Sequence, residues 1–175
     1  MLETERLTLT VGHLGEAAEM QGLNSDPDVV RFTGDAINLS VEQSRVIIAE
    51  RIIPQWEKYR MGRFTVRLKD GMYLGWCGLR FFPEYDEVDL GYRFKKKFWG
   101  QGYATESSRV VLKYGFETLK LKKITAKAMP ENIDSIKVMQ KLKMTFRGYR
   151  SEPGDPHPHV IYDMTSEEYK KCAIS

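Results

Sequence analysis

The sequence has only two cysteines in 175 residues, Cys77 and Cys172. They lie far apart and make no metal-ligand spacing, so a disulfide framework and a zinc site are excluded as organising devices. Reduced thiols in a cytoplasmic protein are expected, and no metal. Long apolar runs are absent as well. No uncharged stretch reaches membrane-spanning length, and the opening "MLETERLTLT" has acidic residues and alternation where a signal peptide needs a continuous apolar segment. A strong excess of one charge is also missing. The 27 Lys and Arg against 24 Asp and Glu leave +3, too little for the basic footprint of a dedicated nucleic-acid binder. The lysine runs Lys95–Lys97 and Lys120–Lys123 are short and fit a solvated surface. With no repeat, low-complexity tract or Ser/Gly linker, one domain spanning 1–175 is expected.

What is present is an ordinary folding composition, 42% hydrophobic and 29% charged, without the signature of disorder. "ERLTLTV" alternates Leu7, Leu9 and Val11 with polar residues and reads as a half-buried strand, followed by a short helix around 16–23. Ser40 to Arg60 reads as a helix with Ser40 as cap, Gln43 three residues on, and an apolar stripe of Ile48, Ile52 and Trp56; Pro54 should kink or divide it. From Gly62 the period falls to two. "RFTVRLK", "MYLGWCGLRFF" and "EVDLGYRF", separated by "KDG" and "PEYD", spell an antiparallel meander. A helix from near Gly102, a strand "KKITAKAM", a helix from Asn132 to Lys143, the strands "FRGYR" and "HVIYDM" and a helical tail "SEEYKK" complete a mixed α/β order. One sheet with helices on both faces is expected, not a doubly wound Rossmann sheet.

The stretch "KKKFWGQGYATES" places Gly100 and Gly102 between a strand and a helix. Glycine permits positive φ and close approach of backbone to an oxyanion, while the N-terminus of a helix offers unpaired N–H groups and a positive dipole end. The spacing fits either a phosphate seat or a solvated turn. The dinucleotide fingerprint fails at Thr105, and no Gly-Lys-Ser/Thr triplet marks a P-loop.

Taken with "ENIDSIKVMQKL", "TERLTL", "SDPDVVRF" and "YDMTSEEY", the segment "FWGQGYATES" resembles the GNAT superfamily of acyl-CoA-dependent N-acetyltransferases, in particular its RimJ/RimL-like branch. The resemblance implies a single central, mostly antiparallel twisted sheet with a V-shaped split between the strands 87–94 and 123–129. It also implies acetyl-CoA as cosubstrate. Tyr92, Arg93 and Phe94 would give main-chain groups to the pantetheine arm. Lys97, Gly100, Gln101, Gly102, Tyr103, Ala104 and Thr105 would wrap the pyrophosphate, with Asn132, Ser135 and Lys141 as further cofactor contacts. Three positions depart from the family pattern: Lys97 begins the loop, Lys143 stands where a helix-ending glycine is usual, and Met139 falls where many members carry an acidic tyrosine.

Transfer to an amine requires a base that frees the nitrogen lone pair and an acid or solvent that protonates the departing thiolate. Glu87, Asp89 and Arg93 share one strand face, the two carboxylates about 7 Å apart along it. Asp89 matches the branch's common glutamate and is the first candidate for the base, with Glu87 beside it; the same pattern also fits the polar face of an ordinary sheet. Ser135 is the candidate acid, or a cofactor contact. Cys77 reads as a buried small hydrophobe, His157 and His159 as a surface hairpin, and Glu106 as a partner of the helix dipole. Phe32, Trp56, Tyr85 and His157 are expected to line the acceptor pocket. The resemblance implies a primary amine as acceptor, on a protein N-terminus or a small molecule, and the protein is expected to be a monomer or homodimer without nucleic-acid or membrane binding. The absence of the tyrosine at Met139 leaves a catalytically silent acyl-CoA-binding module as the alternative.

Overall fold

The computed structural model describes residues 1–34, 37, 40–151 and 158–173. Alternation becomes a two-faced sheet. In β2 (Leu7–Val11) Leu7 and Leu9 are fully buried, and in β3 (Arg63–Leu68) Phe64 and Val66 are buried against the same core. With β1 (Leu2–Glu3), β4 (Tyr73–Phe82), β5 (Glu87–Phe94), β6 (Lys123–Ala128), β7 (Thr145–Ser151) and β8 (Pro158–Thr165), they form one eight-stranded sheet in the order β1-β2-β3-β4-β5-β6-β8-β7. Every neighbouring pair is antiparallel except β5 and β6.

That exception positions the site. β5 and β6 run parallel and meet in register only at Asp89 and Thr125, whereas β5 pairs along its whole length with β4. Beyond Asp89 the two strands therefore part, and the β6-facing edge of β5 is left without ladder partners. The expected V-shaped split is present.

Helices cover both faces, as the period changes require. On one face lie α5 (Tyr103–Lys113), which widens into π turns over Tyr114–Thr118, and α6 (Ile133–Lys141); Val111, Leu112, Phe116 and Met139 join the main core with Leu79, Leu90 and Ile124. On the other face lie α1 (Ala17–Asn24), α2 (Pro27–Val30), α3 (Val41–Ile47) and α4 (Ile53–Tyr59), where Ala17, Met20, Ile48 and Ile52 form a second cluster. The cap read from sequence is formed reciprocally: the Gln43 amide N–H donates to Ser40 Oγ at 3.1 Å and the Ser40 N–H to Gln43 Oε1 at 2.8 Å. Pro54 does not break the chain's helical course. The wider π turns of Ile48–Ile52 lead directly into α4, whose first turn contains Pro54, where its missing N–H is tolerated. A last helix, α7 (Ser166–Ala173), follows β8. Among the described residues no helix is long and apolar enough to cross a membrane, and no group of three or more His, Cys, Asp or Glu could hold a metal ion.

Candidate active site

Both glycines of the loop occupy the left-handed region, Gly100 at φ 74° and Gly102 at φ 84°. A side chain there would be strained, which gives the glycines their local reason. The turn leads into α5, and the first intrahelical bond runs from the Glu106 N–H to the Gly102 carbonyl at 2.9 Å. Among the described residues, no hydrogen bond occupies the main-chain N–H of Gly100, Gln101, Gly102, Tyr103, Ala104 or Thr105. The loop is instead anchored through its carbonyls and side chains. Gln101 Nε2 donates to the Lys97 carbonyl at 2.9 Å and Arg6 Nη1 to the Gln101 carbonyl at 3.2 Å. A row of donors at a helix N-terminus, held from behind, suits a diphosphate.

Glu106 secures that backing. It accepts from Thr4 Oγ1 at 2.5 Å and from Arg6 Nε at 2.7 Å, while the Arg6 guanidinium lies 4.4 Å from the Tyr103 ring centre. Burial raises the Glu106 carboxyl, but the donors from Thr4 and Arg6 outweigh it and hold it below its ordinary value. Of the three lysines, Lys96 is paired with Asp28 at 2.5 Å, Lys95 lies over Tyr73, and Lys97 stays on the loop, its ammonium 4.8 Å from the Phe98 ring centre.

The second element is the open edge of β5. The Lys95 N–H donates to the Leu74 carbonyl at 2.9 Å, which fixes the phase of the β4–β5 ladder: odd-numbered residues of β5 turn their main-chain groups to β4 and even-numbered ones turn away. Tyr92 and Phe94 thus present backbone toward the split. Arg93 does not. Its main chain faces β4, and its buried guanidinium donates to Asn24 Oδ1 on α1, across the other face of the sheet. Trp99 Nε1 also donates to the Phe94 carbonyl at 2.8 Å, leaving one lone pair there.

Opposite that edge, Asn132 caps α6, accepting from the Ser135 N–H at 3.2 Å. The Tyr92 hydroxyl lies 2.8 Å from Ser135 Oγ and 3.1 Å from the Ser135 carbonyl, spanning the split between β5 and α6. Burial pushes the Tyr92 phenol far above its ordinary value, so it stays protonated across the physiological range. Lys141 is exposed at the end of α6. Met139 is buried in the main core.

The two carboxylates of β5 have different surroundings. Glu87 is held by Arg150 of β7 in a two-pronged ion pair, both contacts 2.8 Å, and these hydrogen bonds lower its pKa from the ordinary value despite burial. Asp89 lies at the point where the strands part, with Oδ1 shielded from solvent. Next to it Gly91 has no side chain; a Cβ there would stand 3.2 Å from Trp76 and 3.9 Å from Asp89 Oδ2, so the glycine keeps space open between these two groups.

On this face lies a cleft of about 110 Å³ between the sheet and the first helices, lined among others by Asn24, Arg51, Gln55, Arg63 and Arg80. The residues expected there distribute differently. Trp56 is partly buried, packing edge-on against Phe64 of the core at 4.6 Å, its Nε1 donating to the Arg63 carbonyl at 3.3 Å. Phe32 is partly exposed beneath Arg31, and Tyr85 is exposed on the β4–β5 turn. His157 lies outside the described residues. Cys77 is fully buried beside Ser108, and burial raises its thiol to about 11, which suits a structural thiol and not a nucleophile.

The family described as acetyltransferase (GNAT) domain matches residues 6–145, taking in the glycine loop, β5 and the Asn132 helix together. The chain belongs to this GNAT family. It is 30% identical over 174 residues to an uncharacterised N-acetyltransferase p20 of Bacillus licheniformis, covering 96% of this chain and 97% of that protein. It is also 30% identical over 184 residues to the FsC-acetyl coenzyme A-N(2)-transacetylase of Aspergillus fumigatus, covering 96% and 77%. Among solved structures, a GNAT-family acetyltransferase from Bacillus anthracis superposes with a TM-score of 0.81 at 26% identity, covering 95% of this chain and 99% of that one. This chain is an acetyltransferase of the GNAT type, with acetyl-CoA as its cosubstrate.

Within this GNAT chain, sequence reasoning missed Asn24, Arg51 and Arg80 in the cleft, Trp76 in a neighbouring hollow, and the Tyr92 hydroxyl beside Ser135. The cross-strand register that sets Arg80 opposite Asp89 carries no local signal. For Tyr92 a signal existed: a tyrosine on the face shared with Leu90 and Phe94 needs a partner for its hydroxyl when buried.

Proposed function

We propose that the protein transfers the acetyl group of acetyl-CoA directly to a primary amine, with Asp89 as the base and the Tyr92–Ser135 pair as the source of the proton for the leaving sulfur. The observation that carries this reading is the row of open main-chain donors from Gly100 to Thr105 lying beside the open edge of β5. A diphosphate fits the donors, and an extended amide-bearing arm fits the Tyr92 and Phe94 backbone and the Asn132 end of α6. Bound acetyl-CoA supplies the acyl carbon and departs as the thiol.

The chain's own residues manage two protons. Asp89, shielded at Oδ1 and flanked by the gap that Gly91 leaves, takes a proton from the acceptor nitrogen, directly or through a water. Glu87, committed to Arg150, is the weaker candidate. Ser135, with the neutral Tyr92 phenol 2.8 Å behind it, returns a proton to sulfur, so the missing tyrosine at Met139 is replaced from another element. The Aspergillus relative's name, a coenzyme A-N(2)-transacetylase, agrees with acetyl transfer to nitrogen.

The test pairs calorimetric titration of CoA with thiol-release kinetics. Gly102→Val is expected to weaken CoA binding at least about tenfold by forcing the left-handed loop residue out of place. Asp89→Asn is expected to retain CoA affinity and lose about 10²-fold or more in kcat. No CoA binding at millimolar concentration in the unaltered protein sinks the reading, and full activity in Asp89→Asn removes that residue from the base role.

A further inference from the structure

Two buried polar atoms without hydrogen bonds belong to residues that line one small hollow. The hollow, of about 20 Å³, lies between the sheet and the first helices and is lined among others by Glu16, Arg63, Thr65, Tyr73 and Trp76. It borders the larger cleft, with which it shares Met20, Ile52 and Arg63. Among the described residues, Glu16 Oε1 and Trp76 Nε1 are both shielded from solvent and both lack a hydrogen-bond partner. One is an acceptor and the other a donor.

Each is held where it is. The second oxygen of Glu16 accepts from Thr65 Oγ1 at 2.5 Å and from the His13 N–H at 3.2 Å, which fixes the carboxylate over β3. Arg67 Nη2 and His13 Nε2 stand 3.6 Å from Glu16 Oε1, in range of an ion pair and too far for a hydrogen bond. Arg67 is itself committed to Glu19, to which both of its terminal nitrogens donate. Trp76 lies directly across from Thr65 in the β3–β4 register, so the two side chains share one face with Cβ atoms about 5 Å apart. The indole therefore stands one cross-strand step from the residue that holds Glu16. The Arg63 and Arg93 guanidiniums approach its ring at 4.1 and 5.7 Å from the centre and pack it in place.

A buried polar atom without a partner is costly, and folded proteins satisfy nearly all of them. The chemistry of this pair selects what fits. A cation donates to Glu16 but has no lone pair for the indole N–H, whereas an anion accepts from the indole but is repelled by the carboxylate. An O–H group does both, accepting from Trp76 Nε1 and donating to Glu16 Oε1. The volume agrees: one water needs about 10–15 Å³, so the hollow seats a single oxygen.

We propose that the hollow is a binding site for one hydroxyl-type oxygen that bridges Glu16 and Trp76. Two sources share this chemistry: a resident water, and a hydroxyl carried by the acceptor amine, which enters from the adjoining cleft and displaces the water. The second source rests on the reading of the protein as an amine acetyltransferase; the site itself does not. From either source the oxygen ties the segment before α1 to β4. It also fixes an indole whose ring borders the space that Gly91 leaves, where a Cβ would stand 3.2 Å from it.

High-resolution crystal structures of the unaltered protein, free and with CoA and an amine, decide the site. One oxygen is expected at about 2.7–3.2 Å from both Trp76 Nε1 and Glu16 Oε1. No oxygen there, or one bonded to only one of the two atoms, overturns the proposal. Thiol-release kinetics on matched acceptors then name the source: ethanolamine against ethylamine, 1,3-diamino-2-propanol against 1,3-diaminopropane, and peptides beginning with Ser against Ala. A hydroxyl advantage of about tenfold or more in kcat/KM, shrunk at least about threefold in both Trp76→Phe and Glu16→Gln and mainly through KM, identifies the acceptor. Equal use of both members of each pair, with the oxygen kept in the amine complex, identifies the water, and an advantage unmoved by both variants rules out the acceptor as the source. Calorimetric titration separates the readings, since failure to bind CoA removes the acetyltransferase reading and the acceptor hydroxyl with it, while the bridging oxygen of the free protein is judged by its own density.

Discussion

Glu87 and Asp89 are two residues apart on one strand face, yet the partner that β7 brings decides which can act. Arg150 grips Glu87 with two contacts at 2.8 Å and holds its carboxyl below the ordinary 4.5. A folded-state value below the unfolded one means that the pairing stabilises the fold fully above about pH 4.5 and is lost as pH falls through the depressed value. Glu87→Gln should therefore lower Tm at pH 7, and the gap from the unaltered protein should close as melts are taken downward from pH 5 to pH 3. A gap independent of pH would assign the loss to packing and not to charge. Asp89, at the point where β5 and β6 part and with Oδ1 shielded from solvent, is the residue proposed for proton transfer. These assignments depend on contacts between residues more than sixty positions apart, which explains why the strand pattern alone left them level.

At the scale of the element, helix ends carry the function. α5 opens with unpaired N–H groups behind two left-handed glycines, and α6 opens with the Asn132 cap, so two N-termini border the same split. The other end of α6 is a Schellman closure: the Met144 N–H reaches the Met139 carbonyl at 3.1 Å and the Lys143 N–H the Gln140 carbonyl at 2.9 Å, with Lys143 itself at φ 61°. A lysine there keeps the left-handed conformation without glycine's freedom from strain. Lys143→Gly should stabilise the protein by about 0.5–1 kcal/mol in urea unfolding, the relief of the strain exceeding the entropy that glycine adds to the unfolded chain. Destabilisation would mean that the lysine side chain contributes more than its backbone costs.

The whole molecule is organised around one interruption in a continuous sheet. β1 to β5 form an antiparallel series, β6 to β8 another, and the single parallel contact at Asp89 and Thr125 joins them while leaving the β5 edge open. The sheet beneath the cleft is packed with little tolerance. A Cβ on Gly78 would stand 2.0 Å from the Gly62 carbonyl oxygen, a backbone atom that cannot rotate away. Gly78→Ala should cost at least about 1–3 kcal/mol, the usual range for overpacking, and should disturb the β3–β4 pairing on which Arg63 and Arg80 are displayed. Urea unfolding checks the first effect, and amide hydrogen exchange in β3 and β4 the second. Unchanged stability would show that β3 and β4 can separate locally without cost.

The periodicities in the chain were enough to determine strands, helices, the Ser40 cap and the glycine loop, because these rest on interactions within a few residues. Several motifs together were enough to reach the GNAT family, which the match over residues 6–145 establishes. Pairing was a different matter. Which backbone groups of β5 face the split, that Arg150 takes Glu87, that Trp56 packs against the core, and that Arg80 stands across from Asp89 were decided by tertiary structure. Periodicity assigns a side chain to a face, but the identity of its neighbour on that face depends on register and strand order, which are set by the folding of distant segments onto one another.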